Sequence, residues 1–115
     1  MSVTFWIAGE RQDPEAWEER FVNLCNANAR DLLAWLALPG GGDLCGDIPA
    51  RELAARCRRR LWDEARNHDA GIEPAVEHGG RLVVGGREPG YLRRRTEQLL
   101  NLCALAGEEG VIAWA

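Results

Sequence analysis

Two arginine triplets are the side chains in this sequence best suited to binding chemistry. All fourteen basic residues of the chain are arginine, and two runs of three stand at positions 58–60 and 93–95. A guanidinium presents a planar fork of donors that fits a carboxylate or phosphate with two hydrogen bonds, and it stacks on aromatic faces. The clustering therefore predicts a local site for anionic groups.

Helical geometry divides each triplet into one outward residue and two flanking residues. On a helical wheel, Arg59 and Arg94 point away from the apolar stripe, whereas their neighbours border it. If the two helices lie side by side, the flanking arginines can line one groove for phosphate or carboxylate groups. The candidate ligand-binding residues from this argument are Arg58, Arg60, Arg93 and Arg95. The alternative is that the eighteen acidic residues pair with them in surface salt bridges, each contributing about 0 to 1 kcal/mol.

Three asparagines form a second candidate site. Asn23, Asn26 and Asn28 stand close together where a helix is predicted to begin. A carboxamide both donates and accepts hydrogen bonds, so it can bind the edge of a base, and a helix N-terminus favours anions. The alternative is that Asn23 or Asn26 caps the helix and the other asparagines are simply exposed.

Trp62 is predicted to face outward beside the first arginine triplet. Most of the five tryptophans should lie in the core, but the helical position of Trp62 is well outside the apolar stripe. An exposed tryptophan often anchors a protein interface. The alternative is that the loop at residues 67–80 folds over it.

No catalytic or metal-binding signature is present in the sequence. His68 and His78 do not stand at a structural zinc spacing from Cys57 or any other cysteine, and neither Gly-x-Ser-x-Gly nor His-Glu-x-x-His occurs. Most of the cysteines fall on or beside apolar helix faces, where they are usually inert. We therefore expect no metal, no cofactor and no enzymatic activity, with a cysteine–histidine nucleophilic pair left open.

Size and composition indicate one globular domain spanning residues 1–115. The apolar fraction of 46% and the charged fraction of 28% are typical of such a domain. No stretch approaches the ~20 apolar residues of a membrane span, and the first nine residues lack the basic region of a signal peptide, so an intracellular location is expected. The net charge of −4 argues against general nucleic-acid binding.

Periodicity predicts a small α+β domain of order β-α-α-β-α-β, with a short sheet covered by three helices. We expect loops at residues 10–20 and 67–80, an extended piece at 21–24, and strands at 2–8, 81–85 and 111–114. Helices are predicted at 26–38 and 91–106. A further helix should begin within Gly46-Asp47-Ile48-Pro49, with the proline in its first turn, and run to about residue 67.

Several short sequences in the chain resemble short, largely uncharacterised proteins of bacterial phages and prophages. They are Asn26-Ala27-Asn28-Ala29 with Leu32-Leu33 and Leu36, Gly46-Asp47-Ile48-Pro49-Ala50, Gly90-Tyr91-Leu92-Arg93-Arg94-Arg95 with Leu99-Leu100, and Val111-Ile112-Ala113-Trp114. The resemblance implies a small accessory protein of a mobile element, acting on a host process in the cytoplasm of the host bacterium.

The function expected from these features is binding without catalysis. The first hypothesis is capture of an anionic small ligand, such as a nucleotide signal of a host immune system. The second is inhibition of a host protein through an arginine and tryptophan surface, and the third is a small nucleotide hydrolase. Exposed strand edges and the outward Trp62 also predict a homo-oligomer.

Overall fold

The structure is a computed structural model, and it describes residues 2–9, 20–38, 44–63, 75–76, 82–84 and 88–115. The strands are β1 (Ser2–Ile7), β2 (Phe21–Cys25), β3 (Gly46–Pro49), β4 (Ala75–Val76), β5 (Leu82–Val84) and β6 (Val111–Trp114). The helices are α1 (Asn26–Trp35), α2 (Ala50–Asp63) and α3 (Tyr91–Ala106). The architecture is α+β, as the sequence predicts, and every helix in the described part of the chain was expected.

Four strands form an antiparallel sheet in the order β2-β1-β6-β3. The alternation in β1 buries Val3, Phe5 and Ile7 on one face, because successive strand side chains point to opposite sides. Phe5 stands opposite Val22 in β2 and Trp114 in β6. The predicted strand at 2–8 is confirmed to Ile7, and the predicted strand at 111–114 is confirmed. The piece expected only to be extended at 21–24 is strand β2.

The helices bury their apolar stripes against this face in one contiguous core. Leu32 of α1, Leu53 of α2 and Leu99 of α3 are fully buried. The buried Thr96 also lies on this stripe, where its hydroxyl donates to the carbonyl of Leu92 at 2.7 Å. Helix α2 lies along α3, so the side-by-side arrangement assumed for the arginine groove does occur.

The segment Gly46–Pro49 is an edge strand, and its prediction as the start of a helix is wrong. Ile48 stands opposite Ile112 in β6, and both side chains are buried. The missing N–H of Pro49 is tolerated at the end of an edge strand. Helix α2 begins only at Ala50, whose N–H donates to the carbonyl of Gly110 at 2.9 Å.

Both ends of α1 differ from expectation. The N-cap residue is Cys25, and no side chain caps the helix, so asparagine capping is wrong. The helix ends at Trp35 because Ala37 adopts a left-handed φ of 54°. The N–H of Leu38 then donates to the carbonyl of Leu33 at 2.9 Å, which closes a Schellman motif.

The region from residue 67 to 85 contains a two-stranded antiparallel sheet. Strand β5 confirms the predicted strand at residues 82–84, but its partner β4 lies within the predicted loop at 67–80. The predicted loop at 10–20 lies outside the described residues except for Arg20. The glycine run at 40–42 and the predicted helical residues 64–67 also lie outside them. No helix in the described part is long and apolar enough to cross a membrane.

Candidate anion-binding site

A tryptophan and an arginine stack where the end of α1 meets α2. The guanidinium carbon of Arg60 lies 3.7 Å from the centroid of the Trp35 ring. Both side chains are half-buried. A cation–π contact of this kind is worth about 0.5 to 2 kcal/mol, depending on how far it is desolvated. The contact fixes the position of the Arg60 guanidinium.

Arg56 lies one helical turn before Arg60 and holds the end of α1. Its guanidinium donates to the carbonyls of Leu36 and Ala37, and to Glu52 Oε1 at 3.2 Å. The last carbonyls of a helix carry partial negative charge and lack partners within the helix. Arg56 therefore neutralises the partial negative charge at the end of α1, which would otherwise repel an anion.

A groove of about 550 Å³ lies between the end of α1 and α2. Its volume falls in the range of small-ligand sites. The residues that line it are Trp35, Leu36, Ala37, Arg56, Arg59, Arg60 and Asp63. The lining therefore brings three guanidiniums and an indole to one place, with one carboxylate at the same groove.

Two buried donors belong to residues of this groove. Nε1 of Trp35 and Nε of Arg60 have no hydrogen-bond acceptor among the residues that the structure describes. A buried donor without an acceptor costs about 1 to 3 kcal/mol. Nε of Arg95 and Nε1 of Trp114 are buried without an acceptor in the same way, and neither residue lines this groove. The buried donors are therefore not specific to the groove.

The four candidate arginines do not share one groove. Arg60 lines the groove beside Trp35, whereas Arg58 lines a second groove of about 380 Å³ between α2 and the end of α3. Arg93 pairs with Glu97 at 3.2 Å, and neither Arg93 nor Arg95 lines either groove.

Arg95 is held within its own helix. It donates to Gln98 Oε1 at 2.9 Å, and its guanidinium carbon lies 5.2 Å from the Tyr91 ring centroid. Arg94, predicted to face outward, is exposed with its guanidinium carbon 5.4 Å from the same ring. The second triplet is therefore engaged in part by side chains of its own helix.

The candidate asparagines lie on α1 and β2, and none lines either groove. Asn23 is exposed on the outer face of β2, where Nδ2 donates to Ser2 Oγ at 3.1 Å and to Thr4 Oγ1 at 2.8 Å. Asn26 and Asn28 are half-buried in the first turn of α1. The hydrogen bonds of Asn23 hold β1 and β2 together.

Sequence reasoning missed Trp35, Arg56 and Arg59 as site residues. Most of the tryptophans were predicted to lie in the core, whereas Trp35 is half-buried. A usable signal was the four-residue spacing of Arg56 and Arg60, which places both side chains on the same side of a helix. Trp62 is 81% exposed, in agreement with its predicted outward position.

Two of the cysteines are unsuited to nucleophilic chemistry. Burial raises the pKa of Cys57 to about 12, with a smaller contribution from Cys103 and an opposing one from Arg58. Burial also raises the pKa of Cys103 to about 11, against the effect of Arg58. The reactive thiolate is thus suppressed at neutral pH. Cys25 and Cys45 are exposed.

Metal ligation has no candidate cluster in the described residues. No group of three histidine, cysteine, aspartate or glutamate side chains there is placed to hold an ion. The sequence candidates His68 and His78 lie outside those residues. The chemistry of the described site is therefore that of guanidinium and indole groups.

No protein-family model matches this sequence, and comparisons with curated proteins and with solved structures found no significant match.

Proposed function

We propose that this protein binds an anionic small ligand, without catalysis, in the groove between the end of α1 and α2. The observation that carries the proposal is the stack of Arg60 on Trp35 within a ligand-sized groove that Arg56 and Arg59 also line. With Arg56 paired to Glu52, Arg59 and Arg60 leave the groove an excess of positive charge over Asp63, in a chain whose net charge is −4. Such a local reversal of charge favours an anion at this place.

The three arginines of the groove have different roles in the proposed binding. Arg56 is held by the end of α1 and by Glu52, so its part is to compensate negative charge already present. Arg59 is exposed and Arg60 is positioned by Trp35. Their guanidiniums suit two-bond contacts to phosphate oxygens.

The ligand class that best fits the groove is a nucleotide. Phosphate groups match the guanidiniums, and indole and guanidinium groups both stack on planar rings. The resemblance to phage and prophage proteins adds a context, in which the ligand would be a nucleotide immune signal of the host and its sequestration would counter that defence. Cyclic dinucleotides are therefore the first ligands to test.

Calorimetric titration of the whole chain against nucleotides, cyclic dinucleotides and pyrophosphate tests the proposal. We expect Arg60→Ala to weaken binding at least about tenfold, because a hydrogen bond to a charged group contributes about 1.5 to 3 kcal/mol. Trp35→Phe keeps an aromatic ring on which Arg60 can stack, and should weaken binding less. Arg94→Ala is the matched control, since Arg94 is exposed and lines neither groove.

The fate of the ligand separates capture from catalysis. Chromatography of the ligand after incubation should return it intact. A cleaved product would replace the proposal with a nucleotide hydrolase. Equal affinity of wild type and Arg60→Ala, or no binding by any compound of the panel, would reject the groove as the site.

A further inference from the structure

One side of α2 carries a straight row of exposed residues: Arg51, Ala55, Arg58 and Trp62. Their spacing of four, three and four positions keeps them on one line of the helix surface. With a rise of about 1.5 Å per residue, Arg51 and Arg58 are about 10 Å apart along the axis, and Trp62 is about 6 Å further on. We call this row the Arg51–Trp62 face.

The arginines of this face lack the partners that other arginines of the chain have. Arg56 pairs with Glu52 and Arg93 pairs with Glu97, in both cases across one helical turn. Within the described part of the chain, by contrast, no ion pair or side-chain hydrogen bond is made by Arg51 or Arg58. The residues one turn away on the helix offer no carboxylate, since Ala55 follows Arg51 and Trp62 follows Arg58 by four positions.

A groove borders the two arginines of this face. The hollow of about 380 Å³ between α2 and the end of α3 is lined by both Arg51 and Arg58. Its remaining lining is largely uncharged and includes Leu100 and Ala104, with Glu108 as its acidic residue. An occupant would therefore find two cations on one wall and apolar surface beside them.

We propose that the Arg51–Trp62 face is a docking surface for an acidic segment of a partner protein. Two carboxylates about 10 Å apart, as at positions i and i+7 of a helix, would complement Arg51 and Arg58. An apolar recess of the partner would receive Trp62, which is 81% exposed. A large aromatic side chain with an arginine beside it is the composition that dominates binding energy in protein interfaces.

The charge of the molecule favours a protein over a nucleic acid as the partner. Binding to a polyanionic backbone depends on many cations spread over the contacting face. Here two arginines lie on the row, Glu108 lies in the adjoining groove, and the chain has a net charge of −4. This surface lies on the opposite side of α2 from Arg60, so the inference goes beyond ligand capture and does not depend on it.

Selection from a displayed library of random 16-residue peptides tests the inference with the whole chain as bait. We expect the enriched peptides to be rich in aspartate and glutamate, with acidic residues seven positions apart and an apolar residue beyond them. The best peptide, made synthetically with a fluorophore, is then measured by anisotropy at low and high salt. Trp62→Ala and the double variant Arg51→Ala/Arg58→Ala should each weaken its binding at least about tenfold.

Matched controls make the test decisive. Arg94→Ala removes an exposed arginine from another helix and should leave peptide affinity unchanged within about twofold. Failure to enrich acidic peptides, or equal affinity in the Trp62→Ala variant, would overturn the proposal. It would equally be overturned if oligothymidine or phosphatidylserine vesicles bound more tightly through the same residues. Self-association lost in Trp62→Ala, seen by light scattering, would assign the face to a second copy of the chain instead.

Discussion

Alkaline pH should destabilise this protein through its two buried thiols. Cys57 and Cys103 keep their protons in the folded state because burial raises their pKa values to about 12 and about 11. In the unfolded chain both thiols titrate near 9.0. When the pKa of a group is higher in the folded state, the free energy of unfolding is unaffected at pH values below the unfolded-state pKa. It falls as the pH rises from the unfolded-state pKa toward the folded-state pKa. The free energy of unfolding should therefore fall above pH 9.

The magnitude follows from the difference in proton binding. At pH 10, one unit above the unfolded pKa, ionisation of one thiol stabilises the unfolded chain by about 1.4 kcal/mol. Cys57 and Cys103 together should therefore lower the free energy of unfolding by about 3 kcal/mol between pH 8 and pH 10. This is a large share of the 5 to 15 kcal/mol that holds a typical domain together. The chain contains no lysine, whose ammonium group would titrate in the same range.

Urea unfolding in the presence of a reducing agent, followed by far-ultraviolet circular dichroism, measures the effect. The variant Cys57→Ala/Cys103→Ala should be less stable than the wild type at pH 8. Its free energy of unfolding should fall much less between pH 8 and pH 10 than that of the wild type. The matched control Cys25→Ala/Cys45→Ala changes the two exposed thiols and should keep the wild-type decline. A wild-type free energy of unfolding that stays constant from pH 8 to pH 10 would refute the reasoning.

Three further predictions concern the fold around the grooves. Ala37→Gly should stabilise the protein by about 0.5 to 1 kcal/mol in thermal unfolding, because glycine adopts the left-handed φ of 54° without strain; a destabilised variant would contradict this. Gly46→Ala should cost about 1 to 3 kcal/mol in urea unfolding, since its Cβ would lie 2.7 Å from the buried Trp114 ring, and an unchanged midpoint would exclude that crowding. Arg56→Ala should lower the free energy of unfolding by about 1 to 2 kcal/mol by removing donors to the end of α1, whereas Arg59→Ala should stay within about 0.5 kcal/mol; equal effects would refute the capping role.

The sequence predicts those elements whose own residues repeat with a clear period. Val3, Phe5 and Ile7 alternate over a whole strand, and the apolar positions of α3 recur over four turns, so both were located closely. Gly46–Pro49 has one buried residue in four and therefore shows no period of its own. It is a strand because β6 pairs with it, and that pairing joins residues more than sixty positions apart.

The candidate site depends even more on contacts between distant residues. A helical wheel shows the side of α2 on which Arg60 lies, but not that Trp35 meets it there. Trp35 is the last residue of α1, and Ala37 just after it adopts a left-handed conformation that its residue type does not favour. Sequence periodicity therefore predicts the side of α2 on which Arg60 lies, but only the structure shows that Trp35 is its partner.

Consecutive arginines on a helix are better suited to serving two surfaces than to forming one pocket. Each residue advances the helix by about 100°, so Arg58 and Arg60 lie about 200° apart and must face different neighbours. Between them and the sheet lies the buried stripe that contains Leu53 and Cys57. A groove on one side of α2 therefore takes its charge from Arg60 and from Arg56, one turn before it. The opposite side takes its charge from Arg58 and Arg51, two turns before it, so a ligand at one groove need not compete with a protein at the other.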